Sequence, residues 1–196
     1  MKSFEELLVE YGLVQFGRFA DGDGEFVPFK LNLDWMVSYP DVLAAAALEV
    51  RRHFLLFERS IHEFERILCP LDTLPIATLV STQTGIPLVY SRGTGESTVK
   101  DLVGAYDINH PTLLLANTTT GDGALGQLQT DARRVGLLTT YALVLIRQNN
   151  DEDWQELNHH GEFLHVNSLA RFAISKGVIS EAFMKEVLRF TAPPIF

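Results

Sequence analysis

Five short apolar runs in the second part of the chain constrain its fold more than any other feature. They read RILCP, IPLVYS, TLLLA, TTYALVLI and FLHV, and amphipathic or polar segments separate them. Apolar strands without alternation are buried on both faces, which is typical of a parallel sheet covered by helices on its two sides. The sequence therefore predicts an α/β fold from about residue 65 onward.

Helical patterns fill the segments between these runs. TLPIATLVSTQTG predicts a helix closed by Gly85, and GALGQLQTDARRVG and DEDWQELNHHG predict two more. Two further helices are expected at about 167–176 and 180–190. Before residue 65, Ser3 and Glu6 form the sequence pattern that opens a helix, a Gly/Asp turn at 21–24 predicts a β-hairpin, and a long helix begins at Pro40.

Composition excludes several classes of function. The net charge of −9 argues against nucleic acid as the main partner. The longest unbroken apolar run, VLAAAAL, is far shorter than the roughly 18 residues of a membrane span. The acidic, amphipathic N-terminus is unlike a secretory signal. Cys69 has no cysteine to pair with, so we expect a reducing, cytoplasmic location.

The stretch LLLANTTTGDGAL predicts a loop that binds phosphate. An apolar strand stops, small hydroxyl and glycine residues follow, and a helical pattern begins. Backbone N–H groups at a helix N-terminus, together with threonine hydroxyls, can surround a phosphate. The alternative is a plain polar turn with threonine and aspartate as helix caps. The predicted loop consists of Asn117, Thr118, Thr119, Thr120, Gly121, Asp122, Gly123 and Ala124.

Several segments, taken in order, resemble the type I phosphoribosyltransferase family, and the orotate phosphoribosyltransferases in particular. They are VQFGRF, PIATLVSTQTGIPLVYSR, LLLANTTTGDGA, LVLIRQ and FLHVNSLARFAISKG. The resemblance implies a twisted parallel sheet flanked by helices, with an N-terminal hood made of a helix and a β-hairpin, and a homodimer. It also implies transfer of a phosphoribosyl group from phosphoribosyl diphosphate to orotate, with Mg²⁺, in pyrimidine biosynthesis.

On this basis we expect one phosphoribosyltransferase-like domain over residues 1–196. It would divide into a hood segment at 1–38, an α/β core at 39–166 and C-terminal helices at 167–196.

The resemblance also identifies positions at which this chain departs from the family. The family carries two adjacent carboxylates before the phosphate loop, which hold the ribose hydroxyls. A gapless match places Leu115 and Ala116 there, and a one-residue shift places Ala116 and Asn117 there. Neither match provides a carboxylate to stabilise positive charge on the ribosyl ring.

The other side of the expected site is also altered. The resemblance places Pro70, Leu71, Asp72 and Thr73 beside the diphosphate, where Asp72 would repel it. Arg92 remains, but GTGES follows it where the family has lysines. An exposed surface position is an alternative interpretation of Arg92.

The resemblance places Lys30 and Arg147 in the pocket for the base, and for both the alternative is an ordinary exposed cation. His159, His160 and His165 lack the spacing of a zinc site, so no metal site is predicted.

Three functional hypotheses follow. The first is an orotate phosphoribosyltransferase-like protein whose transferase activity is impaired or lost, with a phosphate- or nucleotide-binding pocket kept for regulation or sensing. The second is an active, divergent phosphoribosyltransferase, and the third is a scaffold dimer without a ligand. Under the first, the partner is a small anionic ligand, neither nucleic acid nor a membrane is involved, and binding needs no cofactor. Mg²⁺ is expected only if the protein is catalytically active.

Overall fold

A computed structural model of the chain describes residues 2–20, 24–56, 60–93, 101–119, 123–148 and 160–192. The strands are β1 Val14–Ala20, β2 Phe26–Leu31, β3 Arg66–Cys69, β4 Leu88–Ser91, β5 Leu102–Val103, β6 Pro111–Thr118, β7 Leu138–Arg147 and β8 His160–His165. The α-helices are α1 Phe4–Glu10, α2 Pro40–Leu56, α3 Leu74–Thr84, α4 Ala124–Arg134, α5 Val166–Ser175 and α6 Glu181–Phe190. Short 3₁₀ helices cover Leu33–Ser38, Ile61–Glu63 and Leu71–Thr73.

Six strands form one sheet in the order β5-β4-β3-β6-β7-β8. Neighbouring strands are parallel except β4 and β5, which pair antiparallel through Tyr90–Val103 and Ser91–Leu102. The predicted parallel sheet is confirmed. The antiparallel edge strand was not predicted, because two residues are too few to show a strand pattern.

Both faces of the sheet are buried, as the apolar runs predict. Along β6, Leu113 and Leu115 belong to a large apolar cluster with α2, α3 and the N- and C-terminal helices. Leu114 and Ala116 point into a second cluster that α4 covers. All four residues are at most 1% exposed. Alternating positions of one strand therefore serve two cores, and β6 has no solvent-facing side.

The N-terminal helix and hairpin predicted from the sequence are present. β1 and β2 pair antiparallel, and Phe29 of β2 packs edge-on against Phe190 of α6, with 5.6 Å between ring centroids. Phe4 of α1 contacts Phe163 of β8 at 5.9 Å. These aromatic contacts join the beginning of the chain to its last strand and helix.

One predicted helix is wrong at its C-terminal end. The pattern DEDWQELNHHG predicts a helix to Gly161, yet His160 and Gly161 are the first residues of β8. His160 pairs with Ala142 of β7, so these residues belong to the sheet. Strand pairing here overrides the helical propensity of the local sequence. Residues 151–159 lie outside the described residues. Val166, predicted as the end of a strand, instead begins α5, because His165 caps this helix.

In the described part of the chain, no helix combines the length and the apolar composition needed to span a bilayer.

A substitution at Gly161 tests how closely β8 packs against Tyr141 and His53. A Cβ at this position would lie 2.5 Å from the Tyr141 hydroxyl and 2.6 Å from the His53 ring, which are themselves joined by a 2.8 Å hydrogen bond. We expect Gly161→Ala to lower the free energy of unfolding by about 1–3 kcal/mol through overpacking. Gly126→Ala, in α4 with open space around it, should raise that free energy by about 0.5–1 kcal/mol. Urea unfolding followed by circular dichroism measures the free energy of unfolding of both variants. If Gly161→Ala does not lower this free energy relative to Gly126→Ala, the close packing around Gly161 is contradicted.

Candidate functional site

The carboxyl ends of β3, β6 and β7 lie side by side, because these strands are adjacent and parallel. The segments that follow them are the 3₁₀ turn Leu71–Thr73, the loop before α4, and Gln148. Ligands of open α/β sheets bind beyond the carboxyl ends of the strands. This edge is therefore the candidate site, and it brings together the two loops that the sequence singles out.

Asn117 joins those two loops. Its backbone N–H donates to the Thr73 hydroxyl at 2.9 Å, and its side-chain Nδ2 donates to the Asp72 carbonyl at 2.9 Å. Thr73 and Asn117 are at most 1% exposed. We call these two hydrogen bonds the Asn117 bridge. Among the described residues, the Asn117 Oδ1 is buried and accepts no hydrogen bond, which leaves a buried acceptor at the base of the site.

Gln148 holds the beginning of the predicted phosphate loop. Its Nε2 donates to the Thr118 hydroxyl and to the Thr119 carbonyl, both at 2.9 Å, and its backbone N–H donates to the Thr119 hydroxyl at 3.4 Å. Thr119 is fully buried. The hydrogen bonds from Gln148 therefore hold Thr118 and Thr119 in place at the beginning of the loop.

The loop leads into the N-terminus of α4, as the sequence predicts. Gly123 precedes the helix with φ of 76°, a conformation that favours glycine, and Ala124 is the first helical residue. α4 has 11 residues, so its N-terminus carries the partial positive charge of a helix dipole. Thr120, Gly121 and Asp122, at the centre of the predicted loop, lie outside the described residues.

Asp72 is the described carboxylate next to the Asn117 bridge. Its Oδ1 accepts a hydrogen bond from the Thr73 hydroxyl at 3.1 Å. Removal of solvent by neighbouring protein raises the pKa of Asp72, and the nearby negative charge of Asp34 raises that pKa further. Pro70 and Leu71 complete this turn, with the Leu71 side chain exposed.

Mg²⁺ is usually bound through one or two carboxylates in addition to substrate phosphates, and Asp72 is the described carboxylate next to the Asn117 bridge. In the described ranges, no three histidine, cysteine, aspartate or glutamate side chains lie together in a way that would hold a metal.

Arg92 directly follows β4, at the beginning of the β4–β5 connection. Its backbone N–H donates to the Asp101 carbonyl at 3.1 Å. Asp101 Oδ2 also accepts hydrogen bonds from the Ser91 hydroxyl and, at 3.3 Å, from the Gly93 N–H. These contacts join the residues that flank the 94–100 segment. The Arg92 side chain is exposed.

The two residues predicted for the base pocket are not joined by a described contact. Lys30 is exposed in β2, opposite Gln15. Arg147 ends β7, and its Nη1 lies 2.9 Å from Glu162 Oε2 in β8. His165 of β8 pairs with Arg147 in the strand register, and burial, which is the main cause, lowers the pKa of His165.

Sequence reasoning missed the roles of Glu162 and of the Ser91–Asp101 contact. Both depend on strand pairing, because residues 15 and 10 positions apart meet only when neighbouring strands are in register. A single sequence carries no signal for such pairs.

Solved structures establish the class of fold. The chain superposes on Leishmania donovani UMP synthase with a TM-score of 0.79 and 22% identity, over 96% of this chain and 41% of that one. Mycobacterium tuberculosis orotate phosphoribosyltransferase, solved in complex with 5-phospho-α-D-ribosyl 1-diphosphate, gives a TM-score of 0.65 and 15% identity over 85% of this chain and 96% of that one. The chain therefore has the type I phosphoribosyltransferase fold.

Curated relatives make the similarity more specific. An orotate phosphoribosyltransferase of Thermococcus gammatolerans is 31% identical over 121 residues, which are 60% of this chain and 62% of that protein. One from Caenorhabditis elegans is 24% identical over 97% of this chain and 86% of that protein. No protein-family model matches the chain. Within the type I fold, the chain thus resembles the orotate phosphoribosyltransferases, although the matches span under two thirds of the Thermococcus protein and of the UMP synthase.

The Asn117 bridge is tested by Thr73→Val, which keeps the shape of the side chain and removes the hydroxyl. The buried N–H of Asn117 then loses its acceptor, and we expect the free energy of unfolding to fall by about 1–3 kcal/mol. Thr82→Val removes a hydroxyl that bonds to the Thr78 carbonyl on an exposed face of α3, and should change stability by at most about 0.5 kcal/mol. Denaturant unfolding gives both values. A loss at Thr73 no larger than at Thr82 would argue against the bridge.

The raised pKa of Asp72 predicts how the free energy of unfolding changes with pH. In the unfolded chain its pKa is near the ordinary value of 3.8, whereas in the folded chain it is raised. The folded state therefore binds the proton of the Asp72 carboxyl more tightly than the unfolded chain does. The free energy of unfolding gained from this proton is fully present below about pH 3.8 and is lost as the pH rises through the pKa of the folded state. We expect Asp72→Asn to be more stable than the wild type at pH 7, with a difference that shrinks toward pH 4.5. Asp107→Asn, at an exposed position, is the control for loss of one charge, and thermal unfolding between pH 4.5 and 8 compares the three proteins.

Proposed function

We propose that this chain is an orotate phosphoribosyltransferase-like protein whose transferase activity is impaired or lost, and that it binds a phosphate-bearing small molecule or nucleotide in a regulatory or sensing role. One observation carries the proposal. Near the carboxyl end of β6, Leu115 and Ala116 are buried core residues, and Asn117 forms the Asn117 bridge.

The end of β6 can support binding without supporting transfer. Two buried apolar residues and an amide supply no negative charge to a ribosyl ring that becomes positive in the transition state. The Asn117 Oδ1, an acceptor that is buried and unbonded among the described residues, is suited to a hydroxyl of a bound ligand. If two lost contacts each contribute ~3 kcal/mol to the transition state, transfer slows on the order of 10⁴-fold.

The phosphate part of the proposal rests on the loop at the N-terminus of α4. Gln148 holds Thr118 and Thr119 before the loop, and Gly123 after it leads into the N-terminus of α4, where an anion is favoured. A type I relative from Mycobacterium tuberculosis has been solved with phosphoribosyl diphosphate, and we propose an anion of this class for the present chain. Homodimer formation remains part of the proposal.

An active, divergent phosphoribosyltransferase is the second candidate. It is favoured by Arg92, which directly follows β4, and by Arg147, the last residue of β7. In that case Mg²⁺ would enter together with the diphosphate substrate.

The test measures turnover and binding on the same protein. Orotate loss is followed with phosphoribosyl diphosphate and Mg²⁺ present, and thermal unfolding is titrated with phosphoribosyl diphosphate, UMP and inorganic phosphate. We expect no turnover in the usual enzyme range of roughly 1–10³ s⁻¹, and a stabilisation of about 2.7 kcal/mol at a ligand concentration of 100 times Kd. Turnover in that range would contradict the proposal and support the divergent enzyme.

A pair of matched variants separates loop binding from nonspecific effects. Thr120→Glu places a negative charge in the predicted phosphate loop and should abolish the ligand-induced shift. Thr82→Glu places the same charge on the exposed face of α3 and should leave the shift unchanged. If no ligand stabilises the wild type even at millimolar concentration, the protein is better described as a scaffold.

A further inference from the structure

An open cleft lies between the β1–β2 hairpin and α6. Its volume is about 640 Å³, and volumes of roughly 300–1,000 Å³ are typical of pockets for small molecules. The residues that line it are Arg18, Glu25, Phe26, Glu186, Arg189 and Phe190. None of them belongs to the segments that follow β3, β6 and β7. The cleft is therefore separate from the candidate site at the carboxyl edge of the sheet.

Two phenyl rings line the cleft and keep much of their surface exposed. Phe26 of β2 is 43% exposed and Phe190 of α6 is 41% exposed. The buried Phe29 packs edge-on against Phe190 and holds that ring in place. The Arg18 guanidinium lies over the Phe26 ring, 5.4 Å from its centroid. Exposed phenyl rings pack against another aromatic ring in offset-stacked or edge-to-face arrangements, so the cleft suits an aromatic ligand.

Glu186 has an acceptor atom on the α6 side of the cleft. Its Oε1 lies 3.5 Å from Arg18 Nη2. Its Oε2 is buried and accepts no hydrogen bond from any described residue. A buried polar atom without a partner is destabilising, and an N–H donor of a ligand would supply the missing hydrogen bond. An ammonium group is a strong donor to a carboxylate, because charge on both partners strengthens the bond.

Arg189 places a cation beside that acceptor. It follows Glu186 by three residues on α6, and side chains at this spacing are neighbours on the helix surface. Glu186 forms its ion pair with Arg18 rather than with Arg189. The guanidinium of Arg189 presents a planar set of N–H donors that matches a carboxylate. A donor and an acceptor of opposite charge thus lie next to each other on one side of the cleft.

The charges that line the cleft discriminate between classes of anion. Two arginines and two glutamates line it, so it provides no excess of positive charge. A phosphate ester carries nearly two negative charges at neutral pH, and both glutamates would repel it. A carboxylate that stands next to an ammonium group has no net charge and can satisfy Arg189 and Glu186 together. An aromatic zwitterion therefore matches the cleft better than a nucleotide does.

We propose that the cleft between the hairpin and α6 binds a free aromatic amino acid, with its α-carboxylate on Arg189, its α-ammonium on Glu186 Oε2 and its ring against Phe26 and Phe190. The two charged groups of an amino acid stand on one carbon atom, which matches the neighbouring positions of Glu186 and Arg189 on α6. The hairpin is a two-stranded sheet of its own, so the bound molecule joins it to the last helix. The proposal involves no phosphate and is independent of the proposed function.

Analogues of one amino acid test each contact. Binding to the wild type is measured by calorimetry for L-phenylalanine, for L-phenylalaninamide, which lacks the carboxylate, for 3-phenylpropionate, which lacks the ammonium group, and for L-leucine, which lacks the ring. We expect L-phenylalanine to bind at least about tenfold more tightly than each of the other three. The amide also represents the N-terminal residue of a peptide, so this comparison distinguishes a free amino acid from a peptide.

Matched variants on α6 assign the contacts to residues. Arg189→Gln and Glu186→Gln should each weaken the binding of L-phenylalanine about tenfold. Lys185→Gln and Glu181→Gln remove the same charges from exposed positions of the same helix. They should change the binding by less than about twofold, because these side chains lie outside the cleft lining.

The comparison of analogues needs no variant and therefore does not depend on how well a variant folds. Failure of L-phenylalanine to bind the wild type at millimolar concentration would overturn the proposal. Equal binding of the amide, of 3-phenylpropionate or of L-leucine would overturn it as well. If the control variants weaken binding as much as Arg189→Gln and Glu186→Gln do, the effect is one of overall charge and the proposed contacts are wrong.

Discussion

Burial of β6 on both faces is the constraint on which the rest of the structure depends. Leu113 to Ala116 serve two apolar clusters in alternation, so the strand has no side on which a polar group can be exposed. Polar and charged side chains would lose their hydration without gaining partners there. The polar side chains of β6 nearest to the candidate site therefore lie at its carboxyl end, at Asn117 and Thr118. The same burial that stabilises the sheet is what makes its carboxyl edge the candidate site.

At that edge, hydrogen bonds from uncharged side chains join the segments that follow the strands. Asn117 links the turn after β3 to the loop after β6, and Gln148 links that loop to the end of β7. Side-chain amides and hydroxyls can position loops and bind a ligand, because each can both donate and accept. They stabilise developing charge less well than ionised groups do. This difference between holding a ligand and stabilising a transition state is the physical basis of the proposed function.

Much of the fold follows from local patterns. Strands β3, β4, β6 and β7 and helices α2 to α4 lie where apolar runs and amphipathic periods place them, to within about two residues at each end. The errors fall where tertiary pairing overrides local propensity. His160 and Gly161 follow a helical pattern but extend the sheet beside β7, and the two-residue strand β5 exists only because β4 offers an edge. The N-terminal helix and hairpin also follow from local patterns, whereas the packing of the hairpin against α6 and of α1 against β8 does not.

The sequence by itself determined the α/β class, the polar loop between a buried strand and a helix, and the absence of carboxylates at Leu115, Ala116 and Asn117. These features are read from consecutive residues, whose spacing is fixed by the covalent chain. Only the tertiary structure decided that Asn117 bridges to Thr73 and that Arg147 is paired with Glu162. Those partners are 44 and 15 residues apart, and strand register, which is set by burial of whole faces of the sheet, brings them within hydrogen-bonding distance.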